Sequence, residues 1–180
     1  MNQEKFIPSS RHPKIPQMPI TAMSVIKQVA VVGVCPGYHV YKPTDLSFLH
    51  YAAGTVGKPV VAALLESGFS VMAITRYESM ATFPVEVTVT KVDITSVNAL
   101  TAALKGQDAV VSTLTTSATS GTQRTLIDAA VAAHVKRFIP SEFGTNTREA
   151  RGTKMGKCIQ PKIDTVDYLI ELSKRHEWFT

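Results

Sequence analysis

"VVGVCPGYHVYKPTDLSFLHYAAGTVGKPVV", residues 31–61, opens like a β-strand and closes like a helix, and the junction between those two ends decides the fold. The run that leads into it, "KQVAVVG" (27–33), is rich in β-branched residues and ends in glycine, as a strand buried on both faces would. At the other end, "GKPVVAALLESG" (57–68) places Val60, Val61, Leu64 and Leu65 at helical spacing, with Gly68 as a stop signal. Val34 to Tyr51 lie between them and are neither a glycine linker nor a periodic element. That segment reads as an inserted loop.

The same alternation continues downstream. "FSVMAITR" (69–76) and "VEVTVTKVD" (85–93) read as strands, and "SVNALTAALKG" (96–106) as a helix between Ser96 as N-cap and Gly106 as C-cap. "QDAVVSTL" (107–114) is a fourth strand, "QRTLIDAAVAAH" (123–134) a helix, and "VKRFIP" (135–140) a fifth strand. A last helix covers Ile163 to Lys174. Strands alternating with helices, joined by right-handed crossovers, predict an α/β fold, a doubly wound parallel sheet of the Rossmann type with about five strands. Such sheets take ligands at the carboxyl ends of their strands.

Composition narrows the class. With 44% apolar and 18% charged residues in 180, the chain suits one soluble domain, and no apolar run approaches the length of a membrane span. Residues 1–22 hold four prolines and no signal-peptide core, so they read as a disordered tail, with Met23 as a second beginning and 23–180 as the folded domain. Cys35 and Cys158 are too few for a disulfide framework or a metal cluster, which favours a reducing compartment, the cytoplasm. The net charge of +5 is dispersed and calls for no nucleic-acid partner; a basic cluster of Arg148, Arg151, Lys154, Lys157 and Lys162 is either a phosphate attractor or a solvated loop.

Without the insertion, Gly33, Gly54 and Gly57 form G-x-x-G-x-x-G between a strand and a helix. The three glycines then serve a tight turn, close approach of amides to a pyrophosphate, and close packing of helix on strand. At the end of the second strand an acidic residue would bind the ribose hydroxyls of NAD, whereas this chain has Arg76, suited to the 2′-phosphate of NADP. NADPH/NADP is the expected cofactor.

These residues resemble the NmrA-like and isoflavone-reductase-like branch of the atypical short-chain dehydrogenases, its fungal members above all. The likeness runs from about Val25 to the end, skipping the insertion, through "TRYES", "LKGQDAVVSTL", "RFIPSEFG" and "PKIDTVDYL". It implies that Gly54, Thr55, Val56 and Gly57 line the pyrophosphate and that Ser112, Thr113 and Leu114 lie near the adenosine and ribose. It puts Pro140, Ser141, Glu142 and Phe143 beside the nicotinamide, and Lys162 where family reductases keep a lysine that assists proton transfer. The Tyr-x-x-x-Lys pair of typical short-chain dehydrogenases is not where it would be expected, because Tyr168 is followed four positions on by Leu172.

The resemblance implies an NADPH-dependent reductase of small aromatic or secondary-metabolite substrates, with a non-catalytic NADP(H)-binding regulator with a protein partner as the alternative. Glu142 is also readable as a loop cap, His134 as a helix cap, and Cys158 as inert. Two departures from the family bear on activity. Residues 34–51 separate the halves of the phosphate loop, which predicts weakened cofactor binding, and their in-frame removal restores the family pattern, as a translated intron would. The sequence also stops where the family enters its sixth strand, so the segments that close its substrate pocket are missing.

Overall fold

The computed structural model describes residues 26–33, 52–114, 121–144, 146–176 and 179; of residues 52–55 the backbone alone is described. The expected tail (1–22), Met23 and the inserted segment (34–51) lie outside the described residues.

Five strands form one parallel sheet: β1 (Gln28–Val32), β2 (Ser70–Thr75), β3 (Thr88–Lys91), β4 (Ala109–Ser112) and β5 (Arg137–Ile139). Their order is β3-β2-β1-β4-β5. The direction of winding therefore reverses between β1 and β4, where Val29 pairs with Ala109 and Val32 with Ser112. The helices are α1 (Ala52–Glu66), α2 (Val97–Leu104), α3 (Thr122–Ala132), α4 (Thr147–Ala150), α5 (Lys154–Cys158) and α6 (Gln160–Arg175). This is the Rossmann-type sheet that the sequence predicts.

The unbroken apolar character of the strands follows from burial on both faces. Successive side chains of β1 point to opposite sides, so Val29 and Val31 join a core with Val61 of α1, while Ala30 and Val32 join another with Leu100 and Leu104 of α2 and Leu126 and Ile127 of α3. Val60, Leu64 and Leu65 pack onto the α1 side, as their spacing anticipated. Each such buried aliphatic side chain contributes roughly 1.5–3 kcal/mol, so the two cores hold the sheet between its helices. Ser96 caps α2 by accepting from the Ala99 amide at 3.3 Å.

Three boundaries differ from expectation. Helix α1 begins at Ala52 and not at Gly57, which puts Gly54 and Gly57 inside the helix instead of in a turn before it. Pro59 consequently falls in the helix interior, where it removes a backbone donor. β3 is an edge strand paired only with β2 and is shorter than 85–93, because the Val87 amide turns back to the Pro84 carbonyl and Val85 is almost fully exposed. Short helices α4 and α5 occupy the stretch read as a basic loop; Asn146 caps the first through its Oδ1, and Thr153 caps the second by accepting from the Gly156 amide.

Candidate functional site

Because all five strands run parallel, the segments that follow them meet along one edge of the sheet. Gly33 follows β1, Arg76 follows β2, Thr113 and Leu114 follow β4, and Pro140 to Phe143 follow β5. Direct contacts link most of these. The Gly33 amide donates to the Ile74 carbonyl at 3.2 Å, which holds the end of β1 against β2. On its other side Gly33, at φ 92°, lies so close to Leu114 that a β-carbon would stand 2.9 Å from Leu114 Cδ2 and 3.1 Å from its amide nitrogen. Leu114 in turn offers its carbonyl to the Ser141 hydroxyl at 2.6 Å, and Ser141 offers its own carbonyl to Lys162 Nζ at 2.5 Å. An unbroken line of contacts thus crosses the reversal point, from β1 through β4 and β5 to the first turn of α6.

Lys162 is largely buried at this edge, with its side chain 12% exposed, and its ammonium lies 3.6 Å from Glu142 Oε1. Glu142 does not cap its loop as the sequence suggested: its two carboxylate oxygens are buried and make no hydrogen bond among the described residues. The hydroxyls of Ser112 and Thr113 are engaged within the protein. Ser112 donates to Gln123 Oε1 at 2.8 Å and Thr113 to the Val32 carbonyl at 3.0 Å, and both residues are buried. Arg76 is exposed at the tip of β2. Of the glycine-rich segment, Gly54, Thr55 and Val56 form the amino-terminal turns of α1 and Gly57 is buried behind them.

Gln123, which sequence reasoning passed over, is completely buried at the start of α3, and its Oε1 also accepts from the Ser141 amide at 3.1 Å. A polar residue in a helical first turn reads as solvent-facing, and nothing in its immediate neighbours marks it otherwise. Asp108 was passed over as well. It sits at the amino edge of the sheet, where it accepts from the amides of Lys27 and Gln28 and pairs with Lys136 at 2.8 Å. The Lys136 hydrogen bond, followed by those two amides, lowers its pKa to about 2.

The basic cluster divides. Arg151 makes a two-pronged pair with Asp167, which raises the arginine's pKa and lowers the aspartate's, while Lys162 turns to the site and Arg148, Lys154 and Lys157 face solvent. Tyr168 is held by α3: its hydroxyl donates to Asp128 at 2.5 Å, and the Arg124 guanidinium lies 3.9 Å from its ring centre. Burial, and then the Asp128 bond, raise its pKa. His134 closes α3 in a left-handed conformation, φ 58°. Cys158 is a free, exposed thiol.

A dinucleotide fits the chemistry of the carboxyl edge. Thr75 Oγ1, Gln123 Nε2 and both Glu142 oxygens are buried there without a hydrogen-bond partner, which offers acceptors and a donor to a ligand rich in hydroxyl and amide groups. Among the described residues Gln107 Oε1, at the opposite end of β4, is the other such side-chain atom. No helix among the described residues is long and apolar enough to cross a membrane.

Known proteins share this fold. Two fungal oxidoreductases are similar in sequence. One, the oxidoreductase aprR of Aspergillus flavus, is 44% identical over 121 residues, which is 66% of this chain and 40% of that protein. The other, the oxidoreductase poxI of Penicillium oxalicum, is 43% identical over 93 residues, 52% of this chain and 29% of that protein. The chain therefore spans less than half the length of these relatives. In fold it is similar to the ternary complex of leucoanthocyanidin reductase from Vitis vinifera, with a TM-score of 0.58 and 24% identity over 81% of this chain and 43% of that one. It is likewise similar to AtPrR2 with NADP+ and (+)-pinoresinol, with a TM-score of 0.56 and 22% identity over 82% of this chain and 47% of that one. Residues 52–175, from the first turn of α1 to the end of α6, match the NAD(P)H-binding family, and the chain belongs to it.

Proposed function

We propose that the protein is an NADPH-binding reductase of the NmrA-like and isoflavone-reductase-like branch, acting on small aromatic or secondary-metabolite substrates. The observation that carries this reading is the continuous contact line from Gly33 through Leu114 and Ser141 to Lys162, with the unpartnered polar atoms of Thr75, Gln123 and Glu142 beside it. The fungal oxidoreductase relatives and the reductases of similar fold support the class. The free Cys158 thiol suits a reducing compartment, the cytoplasm.

In this reading Gly33 and the free amides of the first turn of α1, as far as Gly54, hold the pyrophosphate, and Arg76 holds the 2′-phosphate. Ser112, Thr113 and Leu114 form the wall beside the adenosine and ribose through backbone and shape, since their hydroxyls are already engaged. Pro140, Ser141, Glu142 and Phe143 flank the nicotinamide. NADPH, when bound, supplies a hydride. Lys162 holds a proton at Nζ, fixed by the Ser141 carbonyl and balanced by Glu142, where it can stabilise or protonate negative charge developing on a substrate oxygen.

Calorimetric titration of the chain with NADPH and with NADH tests the assignment. A charge-assisted contact of about 1.5–3 kcal/mol from Arg76 predicts that Arg76→Ala weakens NADPH binding roughly 10- to 100-fold and leaves NADH unchanged. Equal affinities for the two dinucleotides, unaffected by Arg76→Ala, overturn the phosphate assignment, and absence of binding to either overturns the reading as a whole.

A further inference from the structure

Two strand ends and two helices meet at Ser141. Its amide donates to Gln123 Oε1 at 3.1 Å, its hydroxyl donates to the Leu114 carbonyl at 2.6 Å, and its carbonyl accepts from Lys162 Nζ at 2.5 Å. Ser141 is 7% exposed, and every one of its polar groups is directed into the protein. The position of the Lys162 ammonium is therefore set by the position of the 141 peptide. That peptide follows β5, a strand of three residues paired on one side only, with β4. Strand pairing alone fixes such a short segment poorly. Its placement needs a support from outside the sheet.

Gln123 supplies that support. It is completely buried, and one oxygen accepts both the Ser112 hydroxyl from the end of β4, at 2.8 Å, and the Ser141 amide from beyond the end of β5. Because both donors need an acceptor, the amide cannot be turned over, so its orientation is fixed and its Nε2 is left without a partner among the described residues. A buried donor without a partner is unfavourable by about 1–3 kcal/mol, which a residue serving only to fill space would avoid.

We infer that Gln123 is a positioning residue for Lys162: through the Ser141 peptide it registers the ends of β4 and β5 and so fixes the lysine ammonium at the candidate site. The inference builds on the reading of Lys162 as the functional lysine, and it is tested without any dinucleotide present, so failure of cofactor binding and failure of the positioning role are separate results.

The test is lysine-by-lysine labelling of the full chain with an amine-reactive ester, read by peptide mass spectrometry, with Lys105 and Lys174 as internal references. Lys174 lies on the same helix as Lys162. In Gln123→Met, Lys162 labelling rises about three- to tenfold while Lys105 and Lys174 label as before and the far-UV circular dichroism is retained. Unchanged Lys162 labelling in the folded variant overturns the inference, as does a rise shared equally by Lys174, which would indicate general loosening of α6. Should Gln123→Met fail to fold, Ser112→Ala decides. Removing one of the two donors that orient the amide raises Lys162 labelling about twofold with both references unchanged, and the absence of that rise overturns the positioning role.

Discussion

Replacing Gly33 by alanine probes the junction on which the site depends, and its cost can be worked from two separate contributions. The first is backbone conformation: at φ 92° a residue with a β-carbon is disfavoured by about 1–2 kcal/mol. The second is contact, since the added carbon would stand 2.9 Å from Leu114 Cδ2, 3.1 Å from its nitrogen and 3.2 Å from its Cα. Carbon atoms pack at about 3.5–4.0 Å, and while the Leu114 side chain can rotate away, its backbone cannot, because the Leu114 carbonyl is bonded to Ser141. Overpacking of this kind costs about 1–3 kcal/mol, and the reduced freedom of the unfolded chain returns about 0.4–1 kcal/mol. Gly33→Ala should accordingly lose about 2–4 kcal/mol, a large share of the roughly 5–15 kcal/mol that stabilises a domain. Urea denaturation followed by circular dichroism measures it, with two companions that separate the contributions. Gly68 has φ 80° and open space around a built β-carbon, so Gly68→Ala isolates the backbone cost, and Gly144→Ala, also in open space but without positive φ, should be neutral or slightly stabilising. If Gly33→Ala loses no more stability than Gly68→Ala, then Leu114 does not press on the end of β1 and the contact line through the site is not a packed one.

Gly156→Ala places a β-carbon 2.1 Å from the Ala150 carbonyl oxygen, a clash that no side-chain rotation relieves, and should cost about 1–3 kcal/mol by the same urea assay; an unchanged midpoint would contradict the close approach of α5 to the end of α4. Asp108→Ala removes the acceptor shared by Lys27, Gln28 and Lys136 and should cost about 1–2 kcal/mol at pH 7 after allowance for solvent screening. The folded pKa of Asp108, about 2, lies below its ordinary 3.8, so its contribution is fully present above about pH 4 and is lost as pH falls towards 2. Stability measured against pH for both proteins should show a gap that closes between about pH 4 and pH 2, and a gap independent of pH would refute the ionised role of Asp108.

The strands and the two faces they bury were legible because hydrophobic patterning is set by the same alternation that orients their side chains. Val29 and Val31 against Ala30 and Val32 needed no knowledge of tertiary structure beyond a helix on each side. The start of α1 was not legible, because glycine signals turns by its freedom but does not forbid a helix. It costs about 1 kcal/mol there relative to alanine, and Ala52 and Ala53 just upstream favour helix strongly. Helices α4 and α5 are too short for a periodic pattern and show only their caps, Asn146 and Thr153. Within the site, Lys162 and Ser141 were reached through motif likeness, whereas Gln123 was missed for a physical reason. What distinguishes it is burial against the ends of two strands far apart in sequence, and no local property of residues 121–125 encodes that.

The two ends of the sheet divide stability from chemistry. At the amino edge Asp108 engages two amides and a lysine, and its charge is balanced where it stands. At the carboxyl edge Thr75 Oγ1, Gln123 Nε2 and the Glu142 oxygens are buried without a hydrogen-bond partner among the described residues, an arrangement that lowers stability unless something binds there. The asymmetry has a structural origin. Parallel strands bring the amino termini of the following helices, with their unpaired amides, to the carboxyl edge alone. The reversal between β1 and β4 then separates those helices to opposite faces at the point where Gly33 packs against Leu114. Substitution at Asp108 should therefore change melting while leaving Lys162 where it is. Substitution at Gln123 should displace Lys162, because the bonds it breaks, from the Ser112 hydroxyl and the Ser141 amide, hold the ends of β4 and β5 together.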